Sequence, residues 1–405
     1  MRRARPPQRT PRPGSAGEVF AAFLALGTRA FGGPIAHVGH MREAFVVRRR
    51  WLDEARFAQL VVVCQLLPGP ASSQLGFAIG LLRGGWRGAL LAFLGFTLPS
   101  ALLMVAIALL SPRLDTATAR AALHGLALVA VAVVAHGVGG MARRLANDVP
   151  RALVAGAAAA LVLAGDGAWT QLAAIAAGAV LGVLACRDEA PPAAAALALP
   201  YGRRIALPCL ALFGCLLGLS MLASSAAAPS PAGLAAAFYR SGALVFGGGH
   251  VVLPLLQEAV VEPGWVGQDA FLAGYGAAQA MPGPMFTLAA YLGAVVPLGT
   301  PAWIGATVAL LAIFLPGFLL LLATLPAWGR IAAHRGARRA LAGINASVVG
   351  LLVAALYDPV WTHAIHDVTD VAIALAGLLM LASGRVPTLA VVAACVAAAI
   401  AVATP

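Results

Sequence analysis

Long apolar stretches separated by short polar turns dominate the chain. They run over 87–110, 119–141, 168–186, 205–224, 301–325, 337–356, 367–383 and 386–403. Each is close to the roughly 20 residues that carry a helix across a bilayer. A further stretch, 151–165, is shorter and crosses only in the company of others. The pattern predicts an all-α polytopic membrane protein. Composition agrees: the chain is 61% hydrophobic and 10% charged with mean hydropathy +0.90, too little charge to clothe a soluble protein of this length.

Charge then orients the segments. The formal charge of +12 invites a nucleic-acid reading, but all 27 basic residues are Arg and most sit at segment ends, where they set topology rather than bind phosphate. No nucleic-acid partner is expected; the lipid bilayer is. Residues 1–17 read as a disordered basic cytosolic tail without a cleavable signal peptide. The loop 34–56, the turn 143–151, the linker 187–204 and the stretch 330–339 are Arg-rich and belong on the cytoplasmic side. The five cysteines lack CxxC spacing and read as small buried hydrophobes.

One motif set occurs twice. Phe31-Gly32-Gly33-Pro34, Glu43, Trp51, Phe57 and Gln65-Leu66-Leu67-Pro68-Gly69-Pro70 return as Phe246-Gly247-Gly248-Gly249, Glu258, Trp265, Phe271 and Gln279-Ala280-Met281-Pro282-Gly283-Pro284. Leu98-Pro99 and Leu315-Pro316 extend the match. The copies divide the chain into repeats over 18–187 and 233–405, joined by a linker over 188–232 that holds one extra helix. The loop after Phe31 is Arg-rich, whereas its counterpart 250–270 has no Arg and carries Glu258, Glu262 and Asp269. Equivalent loops of opposite charge suggest opposite faces of the membrane, hence two inverted repeats. One threading satisfies every basic cluster: 18–32 and 57–82 enter and return, the stretches 87–110, 119–141, 151–165 and 168–186 cross, and 205–224 crosses alone.

The Pro-Gly-Pro triplets fall in apolar sequence. Pro68 and Pro282 withhold an N–H, Gly69 and Gly283 permit a sharp turn, and Pro70 and Pro284 suit the first position of a new helix. Such a helix would begin inside the membrane with unsatisfied N–H groups and its positive dipole end exposed, a place for an anion. Ser72, Ser73, Thr287, Gln65, Gln74 and Gln279 would add neutral donors, and Gly32, Gly33, Gly247 and Gly248 would present N–H groups or allow close backbone approach.

These motifs resemble the chromate ion transporter family, in its long form with two fused halves. The resemblance is carried by Phe31-Gly32-Gly33-Pro34-Ile35-Ala36-His37, Trp51-Leu52-Asp53-Glu54, Cys64 through Leu75 and Phe96-Thr97-Leu98-Pro99-Ser100 in the first half. In the second, Phe246 through Pro254 and Gly274 through Pro284 carry it. It implies gradient-driven export of chromate across the cytoplasmic (inner) membrane of a bacterium and resistance to chromate, with sulfate, a dianion of similar shape, as competitor. Arg29 and Arg240 are the candidate charge partners for the oxyanion. Glu43 and Glu258, equivalent across the repeats, are the candidate proton-coupling carboxylates. His37 and His250 lie beside the glycine motifs and are expected at the interface.

Two rival classes leave traces. A passive anion channel would share the attracting dipoles. An intramembrane enzyme is suggested by Gly165-Asp166 and Tyr357-Asp358, but the Gly-x-Gly-Asp motif of paired-aspartate proteases fails at Leu163. No P-loop appears, and no cofactor is expected. His363 and His366 near Asp367 and Asp370 have helical spacing for a metal but lie in a polar connection, and no metal site is expected. The sequence admits a homodimer without requiring one.

Overall fold

A computed structural model describes residues 15–31, 33–110, 117–165, 168–186, 197, 199–223, 229–245 and 252–403. Among these residues the protein is helical, with no β-strand. Helix α1 (Ala16–Gly27) begins at Ser15, whose hydroxyl accepts from the Glu18 N–H. Next come α2 (Gly33–Arg42), which runs on into a π-helical turn, α3 (Glu54–Leu66), α4 (Ala71–Leu110), α5 (Ala117–Leu145), α6 (Val149–Ala164) and α7 (Ala168–Ala185). Then α8 (Arg203–Leu222) leads to α9 (Pro231–Leu244), α10 (Val252–Val260), α11 (Gln268–Ala280), α12 (Leu288–Val295) and α13 (Ala302–Thr324). The chain closes with α14 (Trp328–Ala333), α15 (Arg335–Ala355), α16 (Thr362–Ala364), α17 (Val368–Ala382) and α18 (Thr388–Ala403).

Among the described residues five helical stretches are long and apolar enough to cross a membrane: Ala71–Leu110, Arg120–Leu145, Arg204–Leu222, Ala302–Ile331 and Arg335–Ala364. α4 is two helices joined by a turn. Gly84 leaves helical geometry and Gly85 takes φ +62, a conformation that favours glycine. The arms 71–83 and 86–110 then fold back on each other, because Gly80 and Gly88 lie backbone to backbone. The first arm is about 20 Å long, short of the hydrocarbon thickness. α12 and α13 form the matching hairpin, with Gly293 against Gly305.

Helices in lipid gain little from burying apolar surface, so close packing at small residues must hold them together. The glycines show where. Gly27 of α1 lies against the Gly95 and Phe96 carbonyls of α4, and Gly242 of α9 lies against the Ile313 carbonyl of α13. These two contacts sit at matching places in the repeated motifs. Elsewhere the packing crosses between halves. Gly178 and Gly182 of α7 pack on Gly343 of α15, while Gly350 of α15 packs on Ala155 of α6. Reciprocally, Gly125 of α5 packs on Val396 and Ala399 of α18. Each half therefore lends its helical hairpin (α6–α7 or α17–α18) to the long helix of the other.

Candidate functional site

The two Pro-Gly-Pro breaks cross over in the same reciprocal way. The Gly69 N–H donates to the Val245 carbonyl at 2.6 Å, and the Gly283 N–H donates to the Ala30 carbonyl at 2.9 Å. Ala30 and Val245 each precede the Phe-Gly-Gly motif of their half. Both turn glycines have positive φ, +113 at Gly69 and +99 at Gly283. A Cβ on Gly69 would stand 2.9 Å from the Gly317 Cα, and one on Gly283 would stand 2.9 Å from the Ser100 Oγ. Gly317 and Ser100 are the residues following the repeated Leu-Pro pair. The arrangement has the form of a two-fold contact, patch on patch in both directions.

The N–H groups of the turn glycines are thus satisfied across the two halves, because a buried donor costs too much without an acceptor and the opposite half supplies a carbonyl. The open donors lie in the helix that follows, where they are expected. The Ala71, Ser72 and Ser73 N–H groups, in the first turn of α4, find no acceptor among the described residues. The two breaks also differ. After Pro284 the chain makes one 3-10 turn, Met285–Thr287, before α12 begins. The Thr287 hydroxyl donates to the Pro284 carbonyl at 2.9 Å, so it serves the backbone rather than a ligand.

Gln74 is the side chain that ties the first break together. Its Nε2 donates to the Pro68 carbonyl and to the Gly317 carbonyl, each at 2.9 Å, and the residue is wholly buried. Buried polar atoms without a partner among the described residues include Ser73 Oγ, Gln74 Oε1, Thr97 Oγ1 and His37 Nδ1. Hydroxyls in such positions are donors awaiting an acceptor. His37 is buried rather than interfacial, with 1% of its surface exposed. Its Nε2 lies 3.0 Å from the Ala30 carbonyl, the same oxygen that receives the Gly283 N–H, and its ring stands edge-on to Phe96. α2 lies outside the candidate spans, and burial pushes the His37 imidazole down to about 4. It is neutral at physiological pH.

Behind Ala30 a cavity of about 230 Å³ opens between α1 and the π turn that follows α2. Arg29, His40, Glu43, Arg48 and Arg49 line it. Two sequence-stated positions, Arg29 and Glu43, thus meet in one basin, where Glu43 accepts from the Arg48 Nε at 2.9 Å. Three guanidinium groups against one carboxylate leave the basin electropositive.

The remaining predicted positions scatter. Pro68, Pro70, Pro282, Pro284, Ser72 and Ser73 are buried at the breaks. Gly33, at φ +75, starts α2 with open space around it. Gln65 is exposed on α3 and does not join the break. The Gln279 Nε2 donates to the Met285 Sδ at 2.7 Å. The Arg240 guanidinium donates at 3.5 Å to the Ser220 carbonyl on α8. Glu258 accepts from the Gln171 Nε2 of α7 at 3.1 Å. Gly32, Gly247, Gly248, His250 and Asp166 lie outside the described residues. The Asp358 carboxylate accepts from the Thr362 hydroxyl at 3.1 Å. Sequence reasoning missed His40, Arg48 and Arg49 as cavity walls, and Ser100 and Gly317 as the seats of the glycine turns. Only the doubled Leu-Pro-small pattern could have signalled the last two.

Comparisons with known proteins converge. The chromate transporter family profile matches residues 17–183 and, a second time, residues 232–401. A chromate transport protein of Pseudomonas aeruginosa is 29% identical over 350 residues, covering 86% of this chain and 82% of that protein. One of Cupriavidus metallidurans is 27% identical over 373 residues, covering 90% of this chain and 86% of that protein. The uncharacterized transporter YwrA of Bacillus subtilis is 32% identical over 89 residues, 22% of this chain and 50% of that protein. No solved structure matches significantly. These names point to a transporter rather than an enzyme. With family matches over both halves and five helical stretches of membrane-crossing length among the described residues, this chain is a multi-pass membrane protein belonging to the chromate transporter family.

Proposed function

We propose that the protein exports chromate from the cytoplasm by alternating access, using the gradient across the bacterial cytoplasmic membrane, and thereby confers chromate resistance. The basin walled by Arg29, Arg48 and Arg49 carries this reading, because it abuts Ala30, the carbonyl on which the second break hangs. Arg-rich loops stay on the cytoplasmic side, so the basin is a cytoplasmic mouth. A dianion drawn there by charge would pass to the first turn of α4, where the free N–H groups and the Ser73 hydroxyl supply donors. Sulfate, with the same charge and shape, would compete.

On this reading 18–187 and 233–405 are inverted repeats, and 188–232 is a linker whose single crossing reverses the second half. The opposite charges of the two equivalent loops support the inversion. The reciprocal Gly69 and Gly283 bonds would be the pivots, each remade when the halves rock. Everted vesicles from cells expressing the protein test this directly. Labelled chromate should accumulate against its gradient, fall with added sulfate and collapse with an uncoupler. Equilibration without accumulation would make the protein an anion channel. Absence of uptake by correctly inserted protein would remove chromate as substrate.

A further inference from the structure

α5 and α17 meet at a cluster that the transport reading does not use. The His124 Nε2 lies 2.7 Å from the Asp370 Oδ1, across 246 residues of sequence. The His366 Nδ1 lies 3.5 Å from the Asp370 Oδ2, and the His366 backbone N–H donates to that same oxygen at 2.9 Å. One ligand atom from each residue falls within 4.8 Å of the others. The two imidazole rings are 5.4 Å apart and tilted by 47°.

We propose that His124, His366 and Asp370 bind one divalent transition-metal ion of the zinc type. Two imidazoles and one carboxylate are a ligand set such ions take, with the remaining positions left to water. Bonds of about 2.0–2.2 Å place ligand atoms roughly 3–3.5 Å apart around a tetrahedral ion. The shortest separation here must widen by about half an ångström and the widest must close, movements that ring rotation supplies. Water can reach the ion, because the His366 side chain is 65% exposed, while the Asp370 side chain is only 9% exposed. The backbone N–H on Oδ2 holds the carboxylate in orientation, as outer partners of metal ligands do.

The fold does not demand this cluster. Asp367 caps α17 and accepts from the Asp370 N–H, just as Asp148 caps α6 and accepts from the Arg151 N–H. The place of Asp370 is therefore taken by Arg151 in the other half, whose buried side chain pairs with Asp148 instead. Of the two reciprocal hairpins, one carries a ligand set and the other a cation. Nor is the cluster the one that sequence spacing offers. His363 contacts the Thr362 hydroxyl at 3.1 Å, and His124 of the opposite half stands where a local pair would have placed it. Bound metal would clasp the α17–α18 hairpin onto α5.

The full-length protein, purified in detergent through a tag without histidine and stripped with chelator, provides the test. Zinc alone is the probe, followed by titration and elemental analysis, with cobalt as a spectroscopic substitute. One zinc per chain is expected, with a tetrahedral cobalt spectrum and a melting midpoint that rises with zinc. His124→Gln and His366→Ala should each weaken binding by about tenfold or more, whereas His363→Ala should leave it unchanged. His366 is exposed, so its variant remains informative if His124→Gln fails to fold. Absence of stoichiometric zinc, or equal binding by wild type and His366→Ala, overturns the site. A fall in midpoint for His124→Gln without any zinc binding overturns it too, and leaves a hydrogen-bonded clasp.

Discussion

Gly283→Ala isolates the crossed contact between the halves. The residue sits at φ +99, and holding an L side chain in a sparsely populated backbone region costs about 1–3 kcal/mol. Its Cβ would also lie 2.9 Å from the Ser100 Oγ and 3.1 Å from the Phe96 carbonyl. The hydroxyl can rotate away, but the carbonyl belongs to a packed helix, and overpacking adds about 1–3 kcal/mol. The combined cost, about 2–6 kcal/mol, exceeds the about 0.5–1.5 kcal/mol net worth of an ordinary hydrogen bond. Relief requires Gly283 to move off Ala30, which opens the contact. Gly299→Ala is the control, because its φ is +67 but nothing lies within 4 Å, so it carries only a backbone term of about 1–2 kcal/mol. The assay is the amount of monodisperse protein surviving a heating series in detergent. Variants are compared at one heating rate, since an irreversible loss of the peak depends on the rate of heating. Gly283→Ala should lose its peak several degrees below Gly299→Ala. Gly69→Ala, at φ +113 with the Gly317 Cα 2.9 Å away, should behave like Gly283→Ala. The reasoning fails if Gly283→Ala melts with Gly299→Ala, or if Gly69→Ala is neutral.

Three further outcomes follow from the site. Gln74→Leu removes the donor to both the Pro68 and Gly317 carbonyls, and leaving buried acceptors bare costs about 1–3 kcal/mol each; heated samples of the variant should aggregate well below wild type. Arg29→Ala, Arg48→Ala and Arg49→Ala each remove an exposed charge worth at most about 1 kcal/mol. Each should therefore raise the KM for chromate about two- to fivefold, the triple variant more, with weaker dependence on salt; unchanged KM in the triple variant would exclude the basin from the path. His37 is held neutral by burial, with its pKa lowered to about 4. The unfolded chain takes up a proton near pH 6.5 that the folded chain refuses, so stability falls as pH drops from about 6.5 to 4, by up to about 3 kcal/mol. The His37→Asn variant should lack that share of acid sensitivity, and equal losses at pH 5 in both proteins would contradict the assignment.

Much of this protein is local, and local features are legible in sequence. Run length sets which segments are long enough to span, so the expected stretch 205–224 appears as α8 (Arg203–Leu222) and 301–325 as α13 (Ala302–Thr324). Proline and glycine set where helices stop, so both Pro-Gly-Pro triplets are breaks with positive φ at their glycines. The family is legible too, because its motifs are contiguous. The partners of those breaks are not. Both halves present the same motifs, so the sequence offers Gly69 an equivalent carbonyl in its own half, Ala30, and in the other, Val245. Only the three-dimensional path of the chain selects Val245. The same degeneracy hides the exchange of α6–α7 and α17–α18, since stripes of small residues fit one another without a label. Arg29 and Glu43 were visible as charges, but their joining with His40, Arg48 and Arg49 depends on how the π turn folds over α1. His37 looked interfacial by position and is buried by the arrival of Phe96 from α4. His124 and Asp370, separated by 246 residues, meet only because one half clasps the other. Sequence determined the elements and their breaks through run length and backbone chemistry, whereas the pairing of identical surfaces, which no local preference distinguishes, was decided by the tertiary structure.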